Sequence, residues 1–159
     1  MMEMSLVGPW CCDTCGDLIE SVNDGTLQWL KEYSASTVRY AYSPQLVHRV
    51  RCLYDKTANY QRSQSTMSDL DFTFLVGPNG LMQLLGMLYE QRFKDSGELI
   101  EIIKRLFIPG YDEVRMHLQK AEDAGVYEPD TALGFPYMYQ IKSIQSWLRS
   151  LNPDHSPHK

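Results

Sequence analysis

Hydrophobic positions change their period near the middle of the chain. Before residue 55 they come in short alternating runs, and from Gly80 onward they recur at spacings of three and four. In the first half, Asp17–Val22 predicts a short strand, Asn23-Asp24-Gly25 a turn, and Thr26–Leu30 the returning strand. Val38, Tyr40 and Tyr42 alternate as a third strand, which Ser43-Pro44 is expected to end. Leu46–Tyr54 follows as a short helix or a strand-to-turn segment. Asp55–Asp69 is polar and predicts a linker, Asp71–Val76 a short strand or extended segment, and Gly77-Pro78-Asn79-Gly80 a turn into helices.

Four helices are expected beyond that turn. The first, about Gly80–Arg92, stacks Leu81, Leu84, Leu85 and Leu88, and Gly86 within it suggests close approach of a neighbouring backbone. The second opens at Ser96 as N-cap and aligns Leu99, Ile102, Ile103 and Leu106 until Ile108-Pro109-Gly110 stops it. The third runs from Tyr111 through Val114, Leu118 and Ala121 to Gly125. The fourth, about Tyr137–Leu151, aligns Ile141, Ile144, Leu148 and Leu151. Phe135, Tyr137, Tyr139 and Trp147, with Met138, are expected to close the helical core. Were they exposed instead, they would mark a site for a protein partner.

The fold class is therefore α+β: a β-rich N-terminal module over residues 1–55, a polar linker or extended segment over 56–76, a four-helix C-terminal bundle over 77–151, and a tail over 152–159. The 159 residues suit one domain or two small ones, and 43% hydrophobic with 22% charged residues is ordinary globular composition. No apolar run reaches the roughly 18 residues of a membrane span. Met1–Trp10 carries Glu3 and no basic segment ahead of a long apolar run, so a secretory leader is not expected and a cytoplasmic location is.

Cysteine usage sharpens the picture. Of the four cysteines, at 11, 12, 15 and 52, three fall within five positions, and a disulfide framework does not suit a chain without an export signal. Cys12-x-x-Cys15-Gly16 brings two thiolates around one tight turn, with Gly16 able to take a positive φ and to offer its N–H to a thiolate. This segment resembles the zinc knuckle of zinc-ribbon and treble-clef fingers, in which two such thiolates grip one zinc ion. His48-x-x-x-Cys52 offers the two further donors a tetrahedral ion needs, giving Cys12, Cys15, His48 and Cys52 as a closed structural Cys3His set for Zn2+. The 32 residues between Cys15 and His48 exceed the spacing of compact fingers. Cys11, adjacent along the chain, points away from the ion or takes the place of Cys12. Buried inert thiols, a CxxC redox pair and a Cys–His nucleophile–base pair are the competing readings.

A metal site of this kind accompanies several functions. The second and third helices, with Gly125–Phe135 as a wing, have the order of a winged helix, which makes a DNA-binding transcription regulator one alternative. Charge argues against it: the candidate recognition helix sets Arg115 and Lys120 against Asp112, Glu113, Glu122 and Asp123, and the whole chain carries −5. A metal-dependent enzyme is the other alternative, but no acid, base and nucleophile set converges in the sequence, and no catalytic or cofactor-binding residue is assigned. His117, His155 and His158, and the carboxylate pairs Glu98/Glu101 and Asp112/Glu113, read as surface and helix-terminus residues. The expectation is a non-enzymatic cytoplasmic protein with structural zinc and a protein partner.

Overall fold

The computed structural model describes residues 8–34, 37–54, 66–130, 132 and 134–153. Most of the expected linker (55–65) and of the tail (154–159) lies outside the described residues. Chain contacts divide the molecule into two compact units, Met1–Ile108 and Pro109–Lys159.

The first unit begins with a two-stranded hairpin. Strand β1 (Trp10–Cys11) pairs antiparallel with β2 (Leu18–Ile19), setting Trp10 opposite Ile19 and Cys11 opposite Leu18. Asn23-Asp24 then lies in a 3-10 turn, Val22–Asp24, rather than joining two strands of one hairpin; the Ser21 hydroxyl accepts from the Asn23 N–H at 3.2 Å. The expected pairing of residues 17–22 with 26–30 is thus replaced by pairing of β2 back onto β1.

Three longer strands form the main sheet, in the order β4-β3-β5: β3 (Gly25–Ser34), β4 (Thr37–His48) and β5 (Thr66–Asp71). Both pairings are antiparallel. The centre of β3, the middle strand, is buried on both faces from Thr26 to Leu30. Ser43-Pro44 does not end β4. The register steps from Gln28 opposite Gln45 to Leu30 opposite Tyr42, so the pair sits in a bulge with Ser43 at φ 51°. A proline is accommodated there because a bulge frees its position from ladder hydrogen bonding. Glu98 pins the bulge by accepting the Ser43 N–H at 3.2 Å.

Thr66–Asp71, in the stretch expected to be linker or extended chain, is the third strand of this sheet. Asp71 leads into a one-turn helix α1 (Phe72–Leu75), then α2 (Gly77–Tyr89) and α3 (Ser96–Phe107). The N-cap of α3 is Asp95, whose carboxylate accepts the Gly97 N–H at 2.8 Å, not Ser96. The buried face of α2 is Gly80, Leu84 and Met87, rotated from the expected leucine stripe, so that Leu85 faces outward. Close backbone approach occurs at Gly80, where a Cβ would lie 1.9 Å from the Leu75 carbonyl oxygen, and not at Gly86, where it would meet nothing within 4 Å. Trp10 meets Phe72 edge-on with ring centroids 5.0 Å apart, and both are buried in a core shared by the two sheets, α1, α2 and α3.

In the second unit the expected third helix is broken into α4 (Tyr111–Val114), a 3-10 turn (Arg115–His117) and α5 (Leu118–Asp123); α6 (Met138–Leu151) follows. Tyr111, Val114, Leu118, Ala121, Tyr127, Ile141 and Ile144 form its core, with Trp147 half-buried against it. Phe135, Tyr137, Met138 and Tyr139 do not close this core but lie exposed. They precede or open α6, and buried Gln140 holds the segment by accepting from the Tyr137 N–H at 2.7 Å and donating to the Glu128 carbonyl at 2.7 Å. Two small sheets plus helices make the chain α+β, and no helix among the described residues is long and apolar enough to cross a membrane.

Gly80 supplies a direct check on the junction of α1 and α2. Gly80→Ala forces a methyl group into the Leu75 carbonyl and is expected to destabilise the first unit by about 1–3 kcal/mol, read by urea unfolding.

Candidate metal centre

Three local structures bring the donors together. The turn between β1 and β2 carries Cys12 and Cys15, the last residue of β4 is His48, and the turn that follows carries Cys52. The first turn is closed by the Cys12 N–H donating to the Asp17 carbonyl at 2.9 Å and the Gly16 N–H to the Cys12 carbonyl at 3.0 Å. Gly16 takes φ 79°, the conformation expected of it. Its N–H, however, serves the Cys12 carbonyl and not a sulfur. The His48–Cys52 spacing is neither helical nor extended throughout: the chain leaves the strand and turns back, with the Cys52 N–H donating to the His48 carbonyl at 3.3 Å. Buried Gln28 pins the far side of this turn by accepting the Tyr54 N–H at 2.9 Å.

The ligand atoms of Cys12, Cys15, His48 and Cys52 all lie within 4.8 Å of one another. His48 Nδ1 is 3.4 Å from the Cys15 sulfur and 3.8 Å from that of Cys52. An ion about 2.3 Å from sulfur and about 2.0 Å from nitrogen, in tetrahedral geometry, sets those atoms about 3.6 Å apart. The observed separations bracket that edge. The other imidazole nitrogen, Nε2, lies 3.1 Å from the Leu18 carbonyl. The Arg51 guanidinium also lies 3.3 Å from Nε2; when Nε2 carries the proton and donates to Leu18, Nδ1 turns its lone pair towards the sulfurs, the tautomer a metal ligand needs. Cys11 is not in the group: its Sγ lies 3.5 Å from the Gly16 carbonyl oxygen.

The thiols are unequal. Burial of Cys12 opposes ionisation, but the N–H groups of Cys15, His48 and Thr14 point at its sulfur and, with the His48 ring, bring its pKa down to about 7. Cys52 is pushed up to about 12, first by burial and then by its hydrogen bonds to Cys15 and Cys12 and their negative charge. Two thiolates resist a third in their midst unless a cation joins them. On the exposed side, Arg51 approaches the Cys15 sulfur at 3.7 Å and donates to Asp17 at 3.1 Å, placing a positive charge beside the donor set.

The anchor of this site to the core is a pair that sequence reasoning did not single out. Asp13, inside the CxxC turn, exchanges hydrogen bonds with Leu46 of β4: its N–H donates to the Leu46 carbonyl at 2.8 Å and its Oδ2 accepts the Leu46 N–H at 2.8 Å. The same Oδ2 accepts from Arg105 of α3 at 2.7 Å, and Arg105 also donates to the Cys11 carbonyl at 2.9 Å. Only 3% of Arg105 is exposed. Its position was the available signal, for it falls three residues after Ile102 on the buried face of α3. Removing one partner of a buried pair leaves a charge without compensation. Arg105→Met is expected to cost about 3–5 kcal/mol in urea unfolding, and Asp13→Asn in the Arg105→Met background is expected to recover part of that loss.

No family model matches this chain, and neither does any curated protein or solved structure.

Proposed function

We propose that Cys12, Cys15, His48 and Cys52 hold a structural zinc ion and that the protein is a non-enzymatic, cytoplasmic binding protein or adaptor. The observation that carries the reading is the convergence of three sulfurs and a correctly oriented imidazole within 4.8 Å, donated by segments far apart in the chain. Three soft thiolates and one imidazole match the tetrahedral preference of Zn2+. With four protein donors the coordination is closed. Such an ion has no open position for water or substrate, so its work is mechanical: it clamps the β1–β2 turn to the end of β4.

The adaptor part of the reading is supported by the exposed rings of Phe135, Tyr137 and Tyr139 with Met138, residue types favoured where protein surfaces meet. Nothing among the described residues favours the DNA-regulator or metalloenzyme alternatives. The acidic balance over α4 and α5 opposes the first, and the closed donor set opposes the second.

Purified protein is expected to contain about one zinc per chain by elemental analysis, and the Cys12→Ser, Cys15→Ser double variant almost none. Chelation of the parent should lower the melting temperature of the first unit by about 10 °C or more. Equal metal in parent and variant contradicts the assignment. Affinity should also fall with pH, because a thiol must lose its proton to bind. The Cys52 thiol, near 12, contributes about a tenfold loss per unit as pH drops, and Cys12 steepens the fall below its pKa of about 7. Competition with a chromophoric chelator between about pH 8 and about pH 6 measures this slope.

A further inference from the structure

The four donors of the centre are not equally sheltered. Cys12 and Cys52 are 2% and 4% exposed, whereas Cys15 lies at the surface. Its chain neighbours Gly16, Asp17 and Leu18 are exposed as well, and a Cβ at Gly16 would meet nothing within 4 Å, so this side of the centre is open. A positive charge stands beside the exposed sulfur. The Arg51 guanidinium lies 3.7 Å from it, held by Asp17, which accepts from the same nitrogen at 3.1 Å. An accessible sulfur with a cation at its side and further thiols within 4.8 Å has the surroundings in which cysteines react with oxidants, whereas buried thiols are inert.

We propose that Cys15 is an oxidation site through which a hydroperoxide releases the metal held by Cys12, Cys15, His48 and Cys52. The inference rests on the metal reading given above and adds its regulation. In the first step the Cys15 thiolate attacks the outer oxygen of the hydroperoxide. A sulfur–oxygen bond forms, the oxygen–oxygen bond breaks, and the departing oxygen takes a proton from solvent and leaves as an alcohol, or as water when the oxidant is hydrogen peroxide. Arg51 stands where it can donate an N–H to the negative charge developing on that oxygen. The sulfenic acid formed on Cys15 is neutral and a poor metal ligand. In the second step the thiolate of Cys12 or Cys52 attacks the Cys15 sulfur. A disulfide forms, the sulfur–oxygen bond breaks, and hydroxide leaves, taking a second proton to become water. Two electrons have passed from two thiolates to the peroxide. One thiolate and one imidazole remain to the ion, too few for a closed tetrahedral site. The hydrogen bonds of Asp13 to Leu46 and Arg105 do not pass through the metal, so the turn keeps its seat and the loss is reversed when the disulfide is reduced.

Exposure of the full chain to hydrogen peroxide, with freed zinc read by a chromophoric chelator, tests the proposal. Zinc should be released as about two of the four thiols are lost, peptide mapping should find Cys15 joined to Cys12 or Cys52, and dithiothreitol should restore zinc binding. With oxidant limiting, dimedone, which traps sulfenic acid, should label Cys15 ahead of Cys11, Cys12 and Cys52. Arg51→Met should slow release by about threefold or more. Cys15→His keeps a donor without the exposed sulfur and should hold its zinc against the oxidant at least about tenfold longer. If that variant binds no zinc, the order of labelling in the parent decides. A chain without zinc before exposure overturns the metal reading and this inference together. A chain that carries about one zinc and keeps it under peroxide overturns this inference alone, as does first oxidation at Cys11 or at a buried thiol.

Discussion

Four metal-ligand side chains converge in the first unit from segments far apart in the chain, and thiols brought this close resist ionising together. Three thiols and an imidazole converge at a point where burial and mutual repulsion push one thiol, Cys52, up to about 12. Left to themselves these groups favour separation or protonation. A divalent cation of the kind proposed would reverse the sign of the interaction and turn the cluster into a clamp between the β1–β2 turn and the end of β4. Surrounding contacts are arranged to suit that exchange. Backbone N–H groups face the Cys12 sulfur, the Leu18 carbonyl and the Arg51 guanidinium both approach Nε2 of His48, and Arg51 also approaches the outermost thiol.

A clamp is useful only if both jaws are attached to something. One jaw is β4, hydrogen bonded along its length to β3. The other, the turn between two strands of two residues each, has little structure of its own, and the Asp13–Arg105 pair ties it to α3. The proposed metal and the ion pair are complementary. A metal held by the four donors would span from the turn to the sheet, and the guanidinium spans from the same turn to a helix of the core.

Much of the centre was legible in the sequence because its signals are local: two thiols two apart before a glycine, and a histidine four residues before a cysteine. The β-sheet topology was less legible. Strands β1 and β2 are too short to show a period, and β5, Thr-Met-Ser-Asp-Leu-Asp, is an edge strand whose polar composition reads as linker. Ser43-Pro44 looked like a strand end because its bulge can be recognised only from the partner strand. Arg105 was passed over because a charge at a core-facing helix position makes sense only once Asp13, 92 residues earlier, is placed beside it. The leucines of α2 misled for a related reason. Helical period identifies faces, and Leu84 and Leu88 do meet the core, but Leu85 in the same run faces outward while Gly80 packs closely against Leu75.

The coordination sphere itself is the most direct test of the account. X-ray absorption at the zinc edge of the purified chain should report three sulfurs at about 2.3 Å and one nitrogen at about 2.0 Å, with no oxygen ligand. A shell rich in oxygen, one that keeps three sulfurs when Cys52→Ser is introduced, or one that keeps its nitrogen when His48→Ala is introduced, would contradict it.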